Sequence, residues 1–565
     1  LEEEKGMDRR EFVNLSGLSA SALILSGLKN CIKKQKDSKR LNFLLIYSDE
    51  LSPDYLECYN EETAYSTPNL KKLACSGVQF TNAYCNASMC TPSRYSLLTG
   101  KYAGRCQYPE FLQENPSNQP YSIAWNTYLD NNMPTIAGIL SRNGYITGMA
   151  GKWHIGAEKL SHLNLPEFEP NDDPADDTVN NKLKQHQKLI SEQIKKIAGF
   201  DHAESVLWGN FDGFPIKKLR FHNFPWINKG AINFLEQQAR NDKPFFLYVA
   251  TTAVHGPAHQ EALDRDVSYT PAGKIDAVKK YNLDTKRLKE IISDLYEQDK
   301  HKYTGMKYLD HHVGLLMSKL KELNLMDNTV VIFMADHNTE PGKATCYEKG
   351  IKVPLLIKWP SRKQKEMGHE FVQNIDLAPT ILSAAGIKNL NKYKLDGYKI
   401  RPGIAGDKLA RKTIYTEAGY ARGIRYGKYK YIAFKPPRRI IEEMENGERE
   451  YAPNYFDKFK QAHSQIAIEH FPHYFEQDQL YDLEKDPYEQ NNLAKDANYQ
   501  DILADMKKRM QKYLNTFQHP YDLSKIDFME SDKYEELADK TRAIGTDYIK
   551  WLPRDHGKIV YPPKK

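Results

Sequence analysis

The chain has 565 residues with 80 Lys+Arg against 74 Asp+Glu, a formal net charge of +6, too small an excess at this length to point to a nucleic-acid partner. Hydrophobic residues at 40% and charged residues at 27% allow a large core and exclude wholesale disorder. Seven Cys are too sparse for a disulfide scaffold, no run of about eighteen apolar residues offers an ordinary membrane span, and no period of roughly 20–50 residues marks a solenoid.

At the amino terminus, Arg9-Arg10-Glu11-Phe12-Val13 precedes an apolar stretch rich in small residues, Leu15 to Leu28. A basic segment before such a stretch predicts an export signal starting at Met7, and the Arg pair before Phe resembles the twin-arginine type, hence a periplasmic or secreted location. Cys31 is a candidate lipid anchor, though Lys29-Asn30 replace the small residues expected before it; an amphipathic first helix is the alternative. A basic linker, Lys33 to Arg40, closes this region (1–40).

Leu41 to Tyr47 is a nearly unbroken apolar run ending in Ser48-Asp49-Glu50, the pattern of a buried parallel strand with acids at its carboxyl end. Similar strands are predicted at Tyr145 to Ala150, Phe245 to Ala250, Val330 to Met334 and Pro354 to Lys358. Helices are predicted between them at Pro68 to Ser76, Met133 to Asn143, Asn228 to Arg240 and Lys302 to Asn324. The alternation predicts an α/β fold: a large mixed, mostly parallel sheet sandwiched by helices, over 41–412. Such sheets bind ligands at the carboxyl ends of their strands. Polar clusters fall there: Asp49-Glu50, Lys152-Trp153-His154, His255-Gly256-Pro257 and Asp336-His337-Asn338.

Residues 156–225, with an acidic cluster at Asp172 to Asp177 and a Lys-rich helical run to Ala198, read as an insertion over the site or a solvated surface excursion. From Thr413 the texture changes to short aromatic-rich strands (Gly423 to Phe434) and an amphipathic helix (Tyr499 to Phe517), a smaller α+β domain over 413–520. The tail, 521–565, has no core pattern and is expected to wrap the body. Cys58, Cys75, Cys85, Cys106 and Cys346 read as buried thiols, and Asn86-Ala87-Ser88 is a glycosylation sequon by pattern alone.

Cys90-Thr91-Pro92-Ser93-Arg94-Tyr95-Ser96-Leu97-Leu98-Thr99-Gly100-Lys101 resembles the signature of the type I sulfatases, of the alkaline-phosphatase-like superfamily, in its Cys-x-Pro-x-Arg core and its Leu-x-Thr-Gly-Lys continuation. Gly151-Lys152-Trp153-His154, Gly342-Lys343, Tyr347 to Pro354, Asp376 to Thr380, Asp396-Gly397 and the stretch from Leu480 to Leu493 resemble later parts of the family, so the likeness spans about 41–515. It implies that Cys90 is oxidised to formylglycine by a maturation enzyme. A hydrated aldehyde has two hydroxyls on one carbon: one attacks sulfur, and the other later loses its proton and expels sulfate. A plain thiol has no comparable exit.

The resemblance further implies a hard divalent cation held by Asp49, Glu50, Cys90, Asp336 and His337, with Ca²⁺ favoured over Mg²⁺ because a looser shell tolerates the longer Glu50 where the family carries Asp. Arg94 would hold the aldehyde hydrate and the carboxylates, while Lys152 and Lys343 would touch sulfate oxygens. His154 would be the base of sulfate release and His255 the acid for the leaving oxygen, with Lys343 beside it. The expected substrate is a sulfated oligosaccharide from an algal or host polysaccharide. A phosphodiesterase or phosphonate hydrolase of the same superfamily and a non-catalytic binder of sulfated glycans are the rivals; turnover of a phosphate diester separates the first and an aldehyde at residue 90 the second.

Overall fold

A computed structural model describes residues 40–524, apart from 130–132, 157–159, 258, 296, 340, 361–364, 401–410, 440–441, 443–466, 468–469 and 475. The expected export signal, Cys31, the linker up to residue 39 and the tail beyond Ser524 lie outside the described residues. No helix among the described residues is long and apolar enough to cross a membrane.

The strands are β1 (Asn42–Ser48), β2 (Val78–Phe80), β3 (Ala83–Tyr84), β4 (Ile146–Lys152), β5 (His202–Leu207) and β6 (Phe245–Ala250). After a ribbon of β7 (Tyr269–Thr270) and β8 (Gly273–Lys274) come β9 (Thr329–Ala335), β10 (Leu355–Lys358), β11 (Glu366–Gly368) and β12 (Val372–Gln373). β13 (Thr413–Ala418), β14 (Ala421–Tyr426), β15 (Tyr429–Phe434) and β16 (Asp478–Asp482) complete the set. The large sheet has eight strands in the order β11-β2-β10-β9-β1-β6-β4-β5. β9, β1, β6, β4 and β5 pair in parallel. Every residue of β1, β6 and β9 is buried, which explains their unbroken apolar runs. Helices Pro68–Cys75, Ile136–Arg142, Phe224–Gln238 and Glu297–Glu322 occupy the predicted intervals.

β10 departs from the parallel pattern read for its neighbours and runs antiparallel to both β9 and β2. Among the described residues, the link from β9 holds one short helix, Glu348–Ile351, so it returns the chain alongside instead of carrying it over the sheet. Part of 156–225 also joins the sheet. A helix at Asp177–Ala198, capped by the Asp176 carboxylate, buries Leu183, Ile190, Ile194 and Ala198 at helical spacing and delivers β5 to the sheet edge. β5 has polar residues at three of its first four positions, His202, Glu204 and Ser205, so it gave no apolar run to read. Its last pair, Val206 and Leu207, lies against Gly151 and Lys152.

The carboxyl-terminal part is an antiparallel meander, β13 to β16, covered by the helix Gln500–Leu514 through Leu503, Met506, Met510 and Leu514. Its core includes Tyr102 and Ile375 of the larger part. Tyr521 is buried and its hydroxyl donates to the Tyr420 and Ala433 carbonyls. Cys85, Cys106 and Cys346 are buried free thiols, whereas Cys58 is half-buried and Cys75, on the outer face of its helix, is exposed. Asn86 is fully buried and donates to Ser96 Oγ at 2.9 Å, so the sequon is closed in the folded chain.

β4 delivers Lys152 through a residue only glycine fills. Gly151 has φ +97°, and an added Cβ would stand 1.9 Å from the Ala250 carbonyl oxygen. Gly151→Ala is expected to destabilise the fold by on the order of 2–4 kcal/mol, read as a lowered urea midpoint. A change below about 0.5 kcal/mol would contradict this account of the strand end.

Candidate active site

Four neighbouring strands, β9, β1, β6 and β4, end side by side, and their backbones interlock just beyond the sheet. Asp336 N–H donates to the Ser48 carbonyl, Leu51 N–H to the His337 carbonyl, and Asp49 N–H to the Ala253 carbonyl. Asp49 and Glu50 follow β1, Lys152 ends β4, Asp336 and His337 follow β9, and His255 lies on the loop after β6. Glu50 has φ +55°, so the chain turns sharply between two adjacent carboxylates. Cys90 is the first residue of a wholly buried helix, Cys90–Thr99, that ends at Gly100 with φ +67°.

Cys90 Sγ lies 3.1 Å from His337 Nε2, 3.4 Å from Asp49 Oδ1 and 3.6 Å from Lys152 Nζ. Arg94, one helical turn on, donates from Nε and Nη2 to Asp336 Oδ2 at 3.1 and 2.8 Å and from Nη1 to the Lys152 carbonyl at 3.1 Å. Its Nη2 is 3.5 Å from Asp49 Oδ2, which also accepts from Lys152 Nζ at 2.5 Å. Asp336 Oδ1 accepts the backbone N–H groups of Glu50 and His337 at 3.0 and 2.8 Å. The distal oxygens of both aspartates thus face cations, and the Oδ1 atoms remain turned towards Cys90 and His337.

His337 Nδ1 is 2.7 Å from the Asn338 carbonyl, which can only accept, so Nδ1 carries the hydrogen and Nε2 presents a lone pair. Ligand atoms of Asp49, Cys90, Asp336 and His337 all lie within 4.8 Å of one another, and all four residues are buried. Two carboxylate oxygens and an imidazole lone pair beside residue 90 suit a hard divalent cation. Glu50 lies outside this group. Its longer side chain reaches the other way, where Oε2 accepts from Lys343 Nζ at 2.7 Å and lies 3.6 Å from His255 Nε2. Lys343 Nζ is in turn 3.1 Å from His255 Nε2, and His255 Nδ1 is 2.6 Å from the Gly256 carbonyl. His154 is half-buried with φ +53°, and its Nδ1 has no partner among the described residues.

Burial, with Asp49 beside it, pushes the Cys90 thiol far up, so the encoded sulfur stays protonated at neutral pH. Burial would also raise Asp49, but Lys152, His255 and Arg94 hold it well below the usual carboxylate range. Glu50 is likewise held down, against burial, by Lys343 and His255. Burial lowers His255 to about 3, reinforced by the Lys343 charge. Burial and the charges of Lys152 and Arg94 keep His154 neutral.

The structure brings every predicted site residue to these strand ends, in two groups: Cys90, Asp49, Asp336, His337, Lys152 and Arg94 in one, Glu50, Lys343 and His255 in the other, with His154 just past Lys152. It adds supports that the sequence reading missed. Ser93 Oγ donates to the Asp336 carbonyl at 2.6 Å and lies 2.9 Å from the Tyr47 hydroxyl, and Asn374 Nδ2 donates to Ser93 Oγ at 3.0 Å. Ser93 occupies a variable position of the Cys-x-Pro-x-Arg core, and Asn374 lies two residues before Asp376, so neither was marked in the sequence.

A family model described as "Sulfatase" matches residues 41–387, and one described as "N-sulphoglucosamine sulphohydrolase, C-terminal" matches 340–461. Arylsulfatase A of Homo sapiens is 29% identical over 499 residues, 80% of this chain and 83% of that protein. N-acetylgalactosamine-6-O-sulfatase of Bacteroides thetaiotaomicron is 25% identical over 552 residues, 84% of this chain and 93% of that protein. An ulvan-active sulfatase of Formosa agariphila is 26% identical over 376 residues, 63% and 64% of the two chains. The solved structure of Ps i-CgsB in complex with k-i-k-neocarrahexaose shares the fold at 21% identity, with a TM-score of 0.54 over 91% of this chain and 100% of that one.

The buried histidines give stability a pH dependence. The unfolded chain takes up a proton on each histidine below about pH 6.5, whereas folded His255 resists protonation until about pH 3. A group whose folded value is depressed favours the unfolded state as pH falls, so stability is expected to drop from about pH 6.5 down to about pH 3. His255→Asn should make that slope shallower by up to about 1.4 kcal/mol per pH unit, measured by urea unfolding at each pH. Equal slopes for the two proteins would contradict a neutral, buried His255.

Proposed function

We propose that this chain, which belongs to the sulfatase family and is a sulfuric ester hydrolase, removes sulfate from a carbohydrate through formylglycine at residue 90 and a divalent cation. The observation that carries this reading is the convergence of Asp49, Asp336 and His337 on Cys90, with Arg94 and Lys152 paired to these carboxylates and Lys343 paired to the neighbouring Glu50. The encoded thiol is protonated and enclosed, so it is suited to modification more than to attack. When present, the hydrated aldehyde supplies paired hydroxyls, and the cation, Ca²⁺ in preference to Mg²⁺, supplies positive charge for a sulfate oxygen.

The remaining work falls to side chains already in place. Asp49, Asp336, His337 and residue 90 hold the cation, and Arg94 keeps the two aspartates from repelling each other. Three carboxylates, Asp49, Glu50 and Asp336, face three cationic heads, so these charges cancel. A doubly charged ion added to that balance leaves the site net positive, which favours an anionic ester. Lys152 Nζ and Lys343 Nζ bind sulfate oxygens. His154, whose Nδ1 has no partner among the described residues, accepts the proton given up in sulfate release. The ammonium of Lys343 and the imidazole of His255 share a hydrogen bond at 3.1 Å, and this pair delivers the proton to the departing oxygen.

The carbohydrate reading draws on the relatives named for N-acetylgalactosamine-6-O-sulfate and ulvan. The signal-like Arg9 to Leu28 supports export, so the substrate would be an oligosaccharide met outside the cytoplasm. Sulfate release from a panel of sulfated oligosaccharides tests the reading. Cys90→Ser presents a single hydroxyl and is expected to lower turnover by about three orders of magnitude or more. EDTA should abolish wild-type turnover and Ca²⁺ restore it better than Mg²⁺. Unchanged release by Cys90→Ser, or full activity in EDTA, would contradict the proposal.

A further inference from the structure

His222 is buried, at 1% exposure, just ahead of the helix Phe224–Gln238. Its Nε2 is 2.9 Å from the Pro257 carbonyl and its Nδ1 is 2.8 Å from Thr252 Oγ1. The carbonyl can only accept, so Nε2–H donates to it, and the Nδ1 lone pair of the neutral ring accepts the Thr252 hydroxyl. Burial keeps that ring neutral. The ring stacks on His259, 3.9 Å away and 8° from parallel, and on Phe224, with Phe211 at 4.1 Å. One side chain therefore ties together both ends of the six-residue segment Thr252–Pro257, and His255 sits between the ties. The same segment bonds to both backbone polar groups of Asp49, through the Ala253 carbonyl and Val254 N–H.

We propose that His222 is a positioning residue: its two hydrogen bonds clamp the Thr252–Pro257 segment and set His255 Nε2 at its working distance from Lys343 Nζ. The inference rests on the reading of His255 as part of the proton source. Without these two bonds the Pro257 end, next to His255, loses its tie while the Asp49 contacts hold Ala253 and Val254; the imidazole can then drift, and a misplacement of about 1 Å costs roughly 100-fold in rate. The clamp needs both ring nitrogens, so it is a requirement for hydrogen bonding and not for packing.

His222→Phe keeps the stacked ring and removes both bonds. With phenyl sulfate as substrate it is expected to lower kcat about 10- to 100-fold and leave KM within about threefold. In a His255→Asn background it should change kcat by less than about threefold. His222→Gln, which can still donate to the Pro257 carbonyl, should recover part of the loss. Thr252→Val, which removes one tie with little change in shape, should show a smaller fall of the same kind, and decides the matter if His222→Phe does not fold. Wild-type kcat in these variants, or the same loss with and without the His255 imidazole, would overturn the proposal. A leaving-group comparison keeps the two readings apart. If His255→Asn slows phenyl and para-nitrophenyl sulfate equally while the His222–His255 coupling persists, the acid role falls and the clamp stands.

Discussion

The buried Arg94 guanidinium is what the rest of the site hangs on. It joins the Cys90–Thr99 helix to three strand ends at once: Asp336 after β9, Asp49 after β1 and the Lys152 carbonyl of β4. It has no solvent exposure, and removing one member of a buried, hydrogen-bonded pair typically costs about 3–5 kcal/mol. Without it two carboxylates would face each other in a space that water does not reach, and one would take up a proton. The pairing therefore fixes both where residue 90 stands and the charge state of the groups around it.

Those charges also explain why an ordinary cysteine would serve badly. A thiolate at residue 90 would be a further anion beside Asp49, and burial opposes it as well. The arrangement favours a neutral oxygen nucleophile over a charged sulfur one. The Lys343–Glu50–His255 group is a second, more accessible cluster; the Glu50 side chain is 10% exposed and that of His255 19%. The fold thus separates an enclosed set of donors around residue 90 from a more accessible group made by Glu50, Lys343 and His255.

Much of this was legible in the sequence because buried parallel strands need apolar residues on both faces. β1, β6 and β9 stood out as unbroken runs, and the polar residues just past them marked the ends where a site belongs. The helix bearing Cys90 and Arg94 was legible through its signature. What remained hidden depended on pairings that no local pattern records. β10 takes its direction from a short return connection, and β5 is a half-polar edge strand inside a stretch that read as an insertion over the site or a surface excursion. Glu50 was expected among the cation ligands, but its positive φ and extra methylene carry the carboxylate to Lys343 instead. His222 sits 33 positions before His255 and meets its loop only through the fold.

The central claim is that the coded thiol of residue 90 becomes a carbonyl in the working protein. Mass spectrometry of the tryptic peptide Leu73–Arg94, taken from the same preparation that is assayed for sulfate release, tests it most directly. The expected peptide is lighter than its all-thiol form by one sulfur and two hydrogens, offset by one oxygen, with activity tracking the fraction so modified. A fully active preparation whose peptide keeps an intact thiol at Cys90 would contradict the account.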